Sequence, residues 1–274
     1  MTSAIDLGRR VALAATLVAV DVVLHAAAAP PPKRLAIYYG YPSLVDGAAG
    51  DLLRAADTFA RYDVVVFGDG LELGHASPDP GLRAEHQRLT RLVPLLHATR
   101  RPAPQLYGYI DLGRSQGRAD REIVRRIDAW HHLGVDGIFF DEAGNDFGVT
   151  PARRAAAVRA AHDCALSAFM NAFNPDDLFE SPGLGANDAL LIESFAVREG
   201  VVQPRDAVAA RVAAAMKWRQ QRGVKIYAVT TSARGTFDRA AFDYARQLAA
   251  ELGLDGFGWG EPDYGADTKL PYRP

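Results

Sequence analysis

A single cysteine, Cys164, in a chain of 274 residues excludes any disulfide within it. On an expected helix it serves as a small hydrophobe rather than a nucleophile. Charge of one sign is also missing: 31 Lys and Arg stand against 33 Asp and Glu, and no basic stripe interleaves with aromatics. That balance argues against a nucleic-acid partner. There is no His-x-His and no His-Glu-x-x-His, so a dedicated zinc site has no support. No Gly-x-Gly-x-x-Gly follows the first expected strand and no P-loop occurs, which argues against a nucleotide cofactor. No cofactor is expected, and a divalent cation on Asp111, Asp141 and Glu142 stays open as a minor alternative.

Long apolar runs are scarce outside the beginning of the sequence. There, Arg9-Arg10 precede an apolar run from Val11 to Val20 that passes Asp21 and ends in Ala26-Ala27-Ala28-Ala29 and Pro30-Pro31-Pro32. A basic start, an apolar middle and a small-residue end make residues 1–33 a signal peptide, or else an uncleaved N-terminal anchor or a cytosolic extension. The pattern favours export, hence a secreted or periplasmic protein, with a membrane-anchored form facing outside as the alternative. Only an uncleaved segment would bring the chain to a membrane.

From residue 34 to 274 the sequence alternates short apolar runs with amphipathic helices. The most informative run is Gly134-Val135-Asp136-Gly137-Ile138-Phe139-Phe140-Asp141-Glu142. A turn, an apolar stretch without polar residues and two adjacent acids describe a strand buried on both faces with charges at its exit. Seven further runs of this kind begin near Leu35, Asp63, Gln105, Ala168, Ala189, Lys225 and Leu254. Helices are expected between them, with one short or irregular βα unit after the fifth strand, in the segment Asn174 to Asp188. Eight βα units in about 240 residues predict a single-domain α/β fold, the (β/α)8 TIM barrel. Gly134-Val135-Asp136-Gly137 also echoes Gly253-Leu254-Asp255-Gly256, half a barrel away. Asp136 and Asp255, at strand entrances, are expected to be turn residues.

A barrel gathers its strand exits on one face. By strand, these exits bring Tyr39 and Tyr41, then Asp69, Asp111, Asp141 with Glu142, Asn171 with Asn174, Glu193, Thr230 with Thr231, and finally Trp259 with Glu261. Carboxylates among aromatics suit glycoside hydrolysis, in which one carboxyl protonates the leaving oxygen while another attacks the anomeric carbon or activates water. Glu193 interrupts an apolar run where an unpaired carboxylate is costly, which favours a functional role. Alternation along the strand puts Asp141 and Glu142 on opposite faces unless the strand has already ended.

The segment Asp136 to Glu142, the tyrosine-rich Ile37-Tyr38-Tyr39-Gly40-Tyr41, Tyr107-Gly108-Tyr109-Ile110-Asp111 and a glutamate closing strand six resemble the spherulin-4-like family. That family is related to the polygalactosaminidase-type TIM-barrel glycoside hydrolases. The resemblance implies cleavage of α-1,4-linked, galactosamine-containing exopolysaccharide, with Asp141, Glu142 and Glu193 catalytic. By fold analogy Asp141 becomes the nucleophile of a retaining mechanism and Glu193 the acid/base, with Glu142 in support. Tyr39, Tyr41, Asp69, Asp111, Asn171, Asn174, Trp259 and Glu261 then bind sugar. The alternative class is a barrel that binds a polysaccharide or oligosaccharide without cleaving it.

Overall fold

The run Val64-Val65-Val66-Phe67 shows how the chain builds its core, because all four residues are fully buried. Val64 and Val66 join an inner cluster inside the barrel, while Val65 and Phe67 join an outer cluster beneath the helices. Side chains that alternate between two apolar environments require a strand covered on both faces.

The computed structural model describes residues 30–68, 70–99, 102–113, 117–180, 182–231, 237–260 and 270. In chain order the elements are β1 (Lys33–Tyr38), α1 (Leu52–Phe59), β2 (Val64–Phe67), α2 (Pro80–Thr99), β3 (Gln105–Asp111) and α3 (Asp120–Leu133). Next come β4 (Gly137–Asp141), α4 (Pro151–Asp163), β5 (Ser167–Asn171), β6 (Ala189–Ile192) and a small hairpin of β7 (Val197–Arg198) and β8 (Val201–Val202). The chain continues through α5 (Arg205–Arg222), β9 (Lys225–Thr231), α6 (Arg239–Glu251) and β10 (Gly256–Gly260). All strands except the hairpin pair in parallel and close into one eight-stranded barrel, ordered around the ring as they occur in the chain. This is the (β/α)8 fold expected from the sequence. The irregular unit also falls where expected, since a 3-10 turn, Pro175–Phe179, stands between β5 and β6. Among the described residues, no helix is long and apolar enough to cross a membrane. The apolar segment that precedes Pro30 lies outside the described residues.

Local chemistry sets the helix ends. Thr150 accepts from Arg153 N and Pro151 occupies the first turn of α4, while Asp51 and Asp238 cap α1 and α6 through their carboxylates. Gly134 closes α3 in the left-handed region at φ +85°, a conformation that costs glycine nothing.

The structure departs from the sequence reading after β6. That strand stops at Ile192 instead of continuing to Phe195, because Ser194 turns the backbone at φ +46°. The hairpin β7–β8 follows, too short at two residues per strand to leave a periodic signal. Thr230 and Thr231, on the exit list, serve this hairpin: the Thr230 hydroxyl accepts from Val197 N, and Thr231 Oγ1 accepts from Glu199 N.

Candidate active site

Strand β4 ends at Asp141, and Glu142 adopts φ +49°, so the alternation that would separate the two acids is broken at that bond. Both carboxylates line the same cleft at the C-terminal mouth of the barrel. The cleft holds about 310 Å³. Tyr39, Tyr109, Phe147, Asn171, Ala172, Phe173 and Glu193 complete its lining.

Three donors converge on Asp141. Tyr109 donates its hydroxyl to Oδ2 at 2.6 Å, while Glu142 N and Asn171 Nδ2 donate to Oδ1 at 2.9 and 2.7 Å. The same Asn171 amide donates to Glu193 Oε1 at 2.9 Å. Both partners are acceptors, which fixes the orientation of the amide. The facing oxygens of Asp141 and Glu193 are thus no farther apart than the sum of two hydrogen bonds. Facing oxygens this close are compatible with the roughly 5–5.5 Å carboxyl spacing of retaining pairs.

The environment separates the acids. Burial, reinforced by the Asp141 charge, pushes Glu193 up to about 7 despite the Asn171 hydrogen bond. Asp111, 4% exposed at the end of β3, is raised to about 6 by burial and then by the charge of Glu142, against the opposing pull of Arg118. Burial and then the neighbouring Asp141 raise the Tyr109 phenol, which keeps it a donor. A carboxyl that holds its proton near neutral pH beside a carboxylate held by three donors can give a proton while its neighbour attacks.

Of the sequence-expected residues, the structure brings Tyr39, Asp141, Glu142, Asn171 and Glu193 together. Asp111 lies buried behind Glu142, outside the cleft wall. Three of the expected residues do not line this cleft. Trp259 is 5% exposed and packs outward against Phe237 and Phe242, at 5.5 and 5.7 Å between ring centroids, so it belongs to the shell beneath α6. The Tyr41 hydroxyl instead donates to Asp79 at 3.3 Å. Asn174 spends its side chain on the turn after β5, accepting from Asp176 N and donating to Asp177 Oδ1, and borders only a neighbouring cleft. Asp69 and Glu261 lie outside the described residues.

Sequence reasoning missed three residues of the site. Tyr109 had a signal, since it lies two positions before Asp111 on the inward face of β3. Phe147 and Phe173 had none, being loop residues, yet their rings stack at 5.8 Å and 17°, with Phe173 74% exposed. An exposed aromatic platform beside paired acids is suited to hold a sugar face. Among the described residues, no group of three or more His, Cys, Asp or Glu is placed to hold a metal ion.

Fold and site together define a parallel α/β barrel with a carboxylate-lined cleft at its C-terminal mouth. Solved structures share that barrel. The glycoside hydrolase domain of PelA from Pseudomonas aeruginosa superposes with a TM-score of 0.51 at 16% identity, over 88% of this chain and all of that one, 100%. The cellulase Cel5C_n reaches 0.54 at 11% identity, over 88% of this chain and 79% of that one. The 3-dehydroquinate dehydratase from Geobacillus kaustophilus HTA426 reaches 0.51 at 12%, over 88% and 86%. Barrels of different chemistries match equally well, so these likenesses show the fold. No protein-family model matches the chain, and no curated protein matches it. The spherulin-4-like resemblance therefore rests on the motifs quoted for it.

Proposed function

We propose that this chain is a glycoside hydrolase that cleaves a polysaccharide with retention of configuration. The observation that carries this reading is the Asn171 amide shared between Asp141 and Glu193, which holds the two carboxyl groups side by side within reach of a single glycosidic bond. Asp141 attacks the anomeric carbon as Glu193 gives its proton to the departing oxygen; the carbon–oxygen bond of the linkage breaks and an ester to Asp141 forms. Glu193, now ionised, then takes a proton from water, whose oxygen displaces Asp141 and regenerates both groups. Tyr109 and the Glu142 amide hold the nucleophile, and Phe147 and Phe173 offer a stacking face.

The names of two structural neighbours, a glycoside hydrolase domain and a cellulase, agree with this chemistry. The spherulin-4-like motifs point to an α-1,4-linked, galactosamine-containing exopolysaccharide as substrate. The signal-like residues 1–33 fit an exported protein, where such a polymer would be met.

The test is release of reducing ends from amino-sugar polysaccharides, with neutral glycans as controls. Asp141→Asn and Glu193→Gln should each abolish release while the protein stays folded; a variant that still hydrolyses takes its residue out of the mechanism. Saturable binding by the unaltered chain with no new reducing ends would leave a carbohydrate-binding barrel instead.

A further inference from the structure

Glu193 and Asp141 do not share all their surroundings. Asp141 borders only the smaller cleft, whereas Glu193, Asn171 and Phe173 also border a second cleft of about 660 Å³. The second cleft runs from the β5 exit to the hairpin loop and α5. In the mechanism above, the nucleophile touches the sugar that keeps the anomeric carbon, and the acid touches the sugar that leaves. The shared wall at Glu193 therefore gives the site a polarity, with the leaving sugar in the second cleft.

Two guanidinium groups, Arg198 and Arg211, line that cleft together with the carboxyl groups of Glu193 and Glu199. Arg211, from α5, donates to the carbonyls of Glu193, Ser194 and Phe195 at 3.5, 2.9 and 3.2 Å. Among the described residues, no carboxylate forms an ion pair with it. Arg198, from the hairpin, pairs at 3.7 Å with Glu199, and both side chains are largely exposed. Partial burial and then the charge of Arg198 lower Arg211, so the two cations feel each other across the cleft. An anion placed between them relieves that repulsion; Arg198 offers planar donors that match a carboxylate, and Arg211, tied to the backbone carbonyls, adds its charge.

We propose that the second cleft receives the leaving-side residue of the substrate and that this residue is a uronic acid, its carboxylate held by Arg198 and Arg211. The assignment of sides rests on the hydrolase reading, while the ligand class rests on the two arginines. It narrows the expected galactosamine-containing polymer to one in which an acidic sugar follows the cleaved bond.

The test uses the purified full chain and measures binding without turnover, by NMR or calorimetric titration with D-galacturonate and with D-galactose. Galacturonate should bind about tenfold more tightly, a difference of ~1.4 kcal/mol. Arg198→Gln should remove that preference, and Glu199→Gln, which releases Arg198 from its neighbour, should enlarge it. Rising salt should weaken galacturonate alone. Asp141→Asn should keep the preference, because Asp141 borders the other cleft. Equal binding of the two sugars, or a preference untouched by Arg198→Gln, overturns the uronate assignment and leaves the hydrolase reading standing. Preference for galacturonate in a chain that cleaves nothing removes the hydrolase reading and keeps the acidic-sugar site.

Discussion

Tyr109 and Asp141 are joined by a 2.6 Å hydrogen bond between neighbouring strands, from the phenol to Oδ2. Tyr109 is 9% exposed, and its ring rests between Tyr39 and Phe139 at 5.5 and 5.8 Å, so the hydroxyl has little freedom to turn elsewhere. A hydrogen bond to a charged group is worth roughly 1.5–3 kcal/mol. If Asp141 is the nucleophile, this bond sets its direction of attack. Tyr109→Phe should then lower kcat by about 10- to 100-fold with little change in KM. An unchanged kcat would show that Asn171 and the Glu142 amide position Asp141 without help.

The raised carboxyls make both stability and activity depend on pH. Glu193 moves from 4.5 to about 7 and Asp111 from 3.8 to about 6, both with burial as the first cause. A folded state that binds a proton more tightly than the unfolded chain gains stability at low pH and loses it as pH rises through the folded value. The cost of burying these ions is thus absent below about pH 4, grows between pH 4 and 7, and is complete above 7. Glu193→Gln, which keeps an acceptor for Asn171, should raise Tm by a few degrees at pH 8 and by almost nothing at pH 4.5. Thermal melts at the two pH values check this, and equal shifts at both would contradict a buried, proton-holding Glu193. In the active chain, hydrolysis should fall off on the alkaline side near pH 7, where Glu193 loses the proton it must donate.

Asp136 and Asp255 show how much of this fold the sequence carried. Their matching Gly-x-Asp-Gly turns perform one task twice: Asp136 Oδ2 accepts from Leu106 N at 2.8 Å, and Asp255 Oδ2 accepts from Ile226 N at 2.7 Å. The glycine after each leaves room for an inward tyrosine, Tyr107 over Gly137 and Tyr227 over Gly256, where any Cβ would meet the ring. Turn chemistry and period-two burial are local, and so they were legible. Trp259 was not, because its glycine-flanked run has no alternation to say which side faces inward. Phe147 and Phe173 meet only through the folding of two loops, and spacing along the chain cannot show that. The β7–β8 hairpin and the second cleft it borders depend on a single turn at Ser194, a residue whose type does not announce a positive φ.

Glu142 is the acid whose part is least settled by its neighbours, and Gly113 provides a way to isolate it. A Cβ at Gly113 would fall on Glu142 Oε2 and come 2.7 Å from its Cβ, so Gly113→Ala must displace the Glu142 side chain. Asp141 would keep its bonds to Tyr109 and Asn171. If Glu142 holds sugar without taking part in bond cleavage, Glu142→Gln should raise KM by about tenfold and spare most of kcat. Gly113→Ala should do the same, and the double variant should be no worse than either alone, since both remove one interaction. Asp141→Asn, by contrast, should cost at least ~100-fold in kcat. Steady-state kinetics of the four variants decide the matter: a kcat loss in Glu142→Gln as deep as that of Asp141→Asn would move Glu142 into the bond-breaking step.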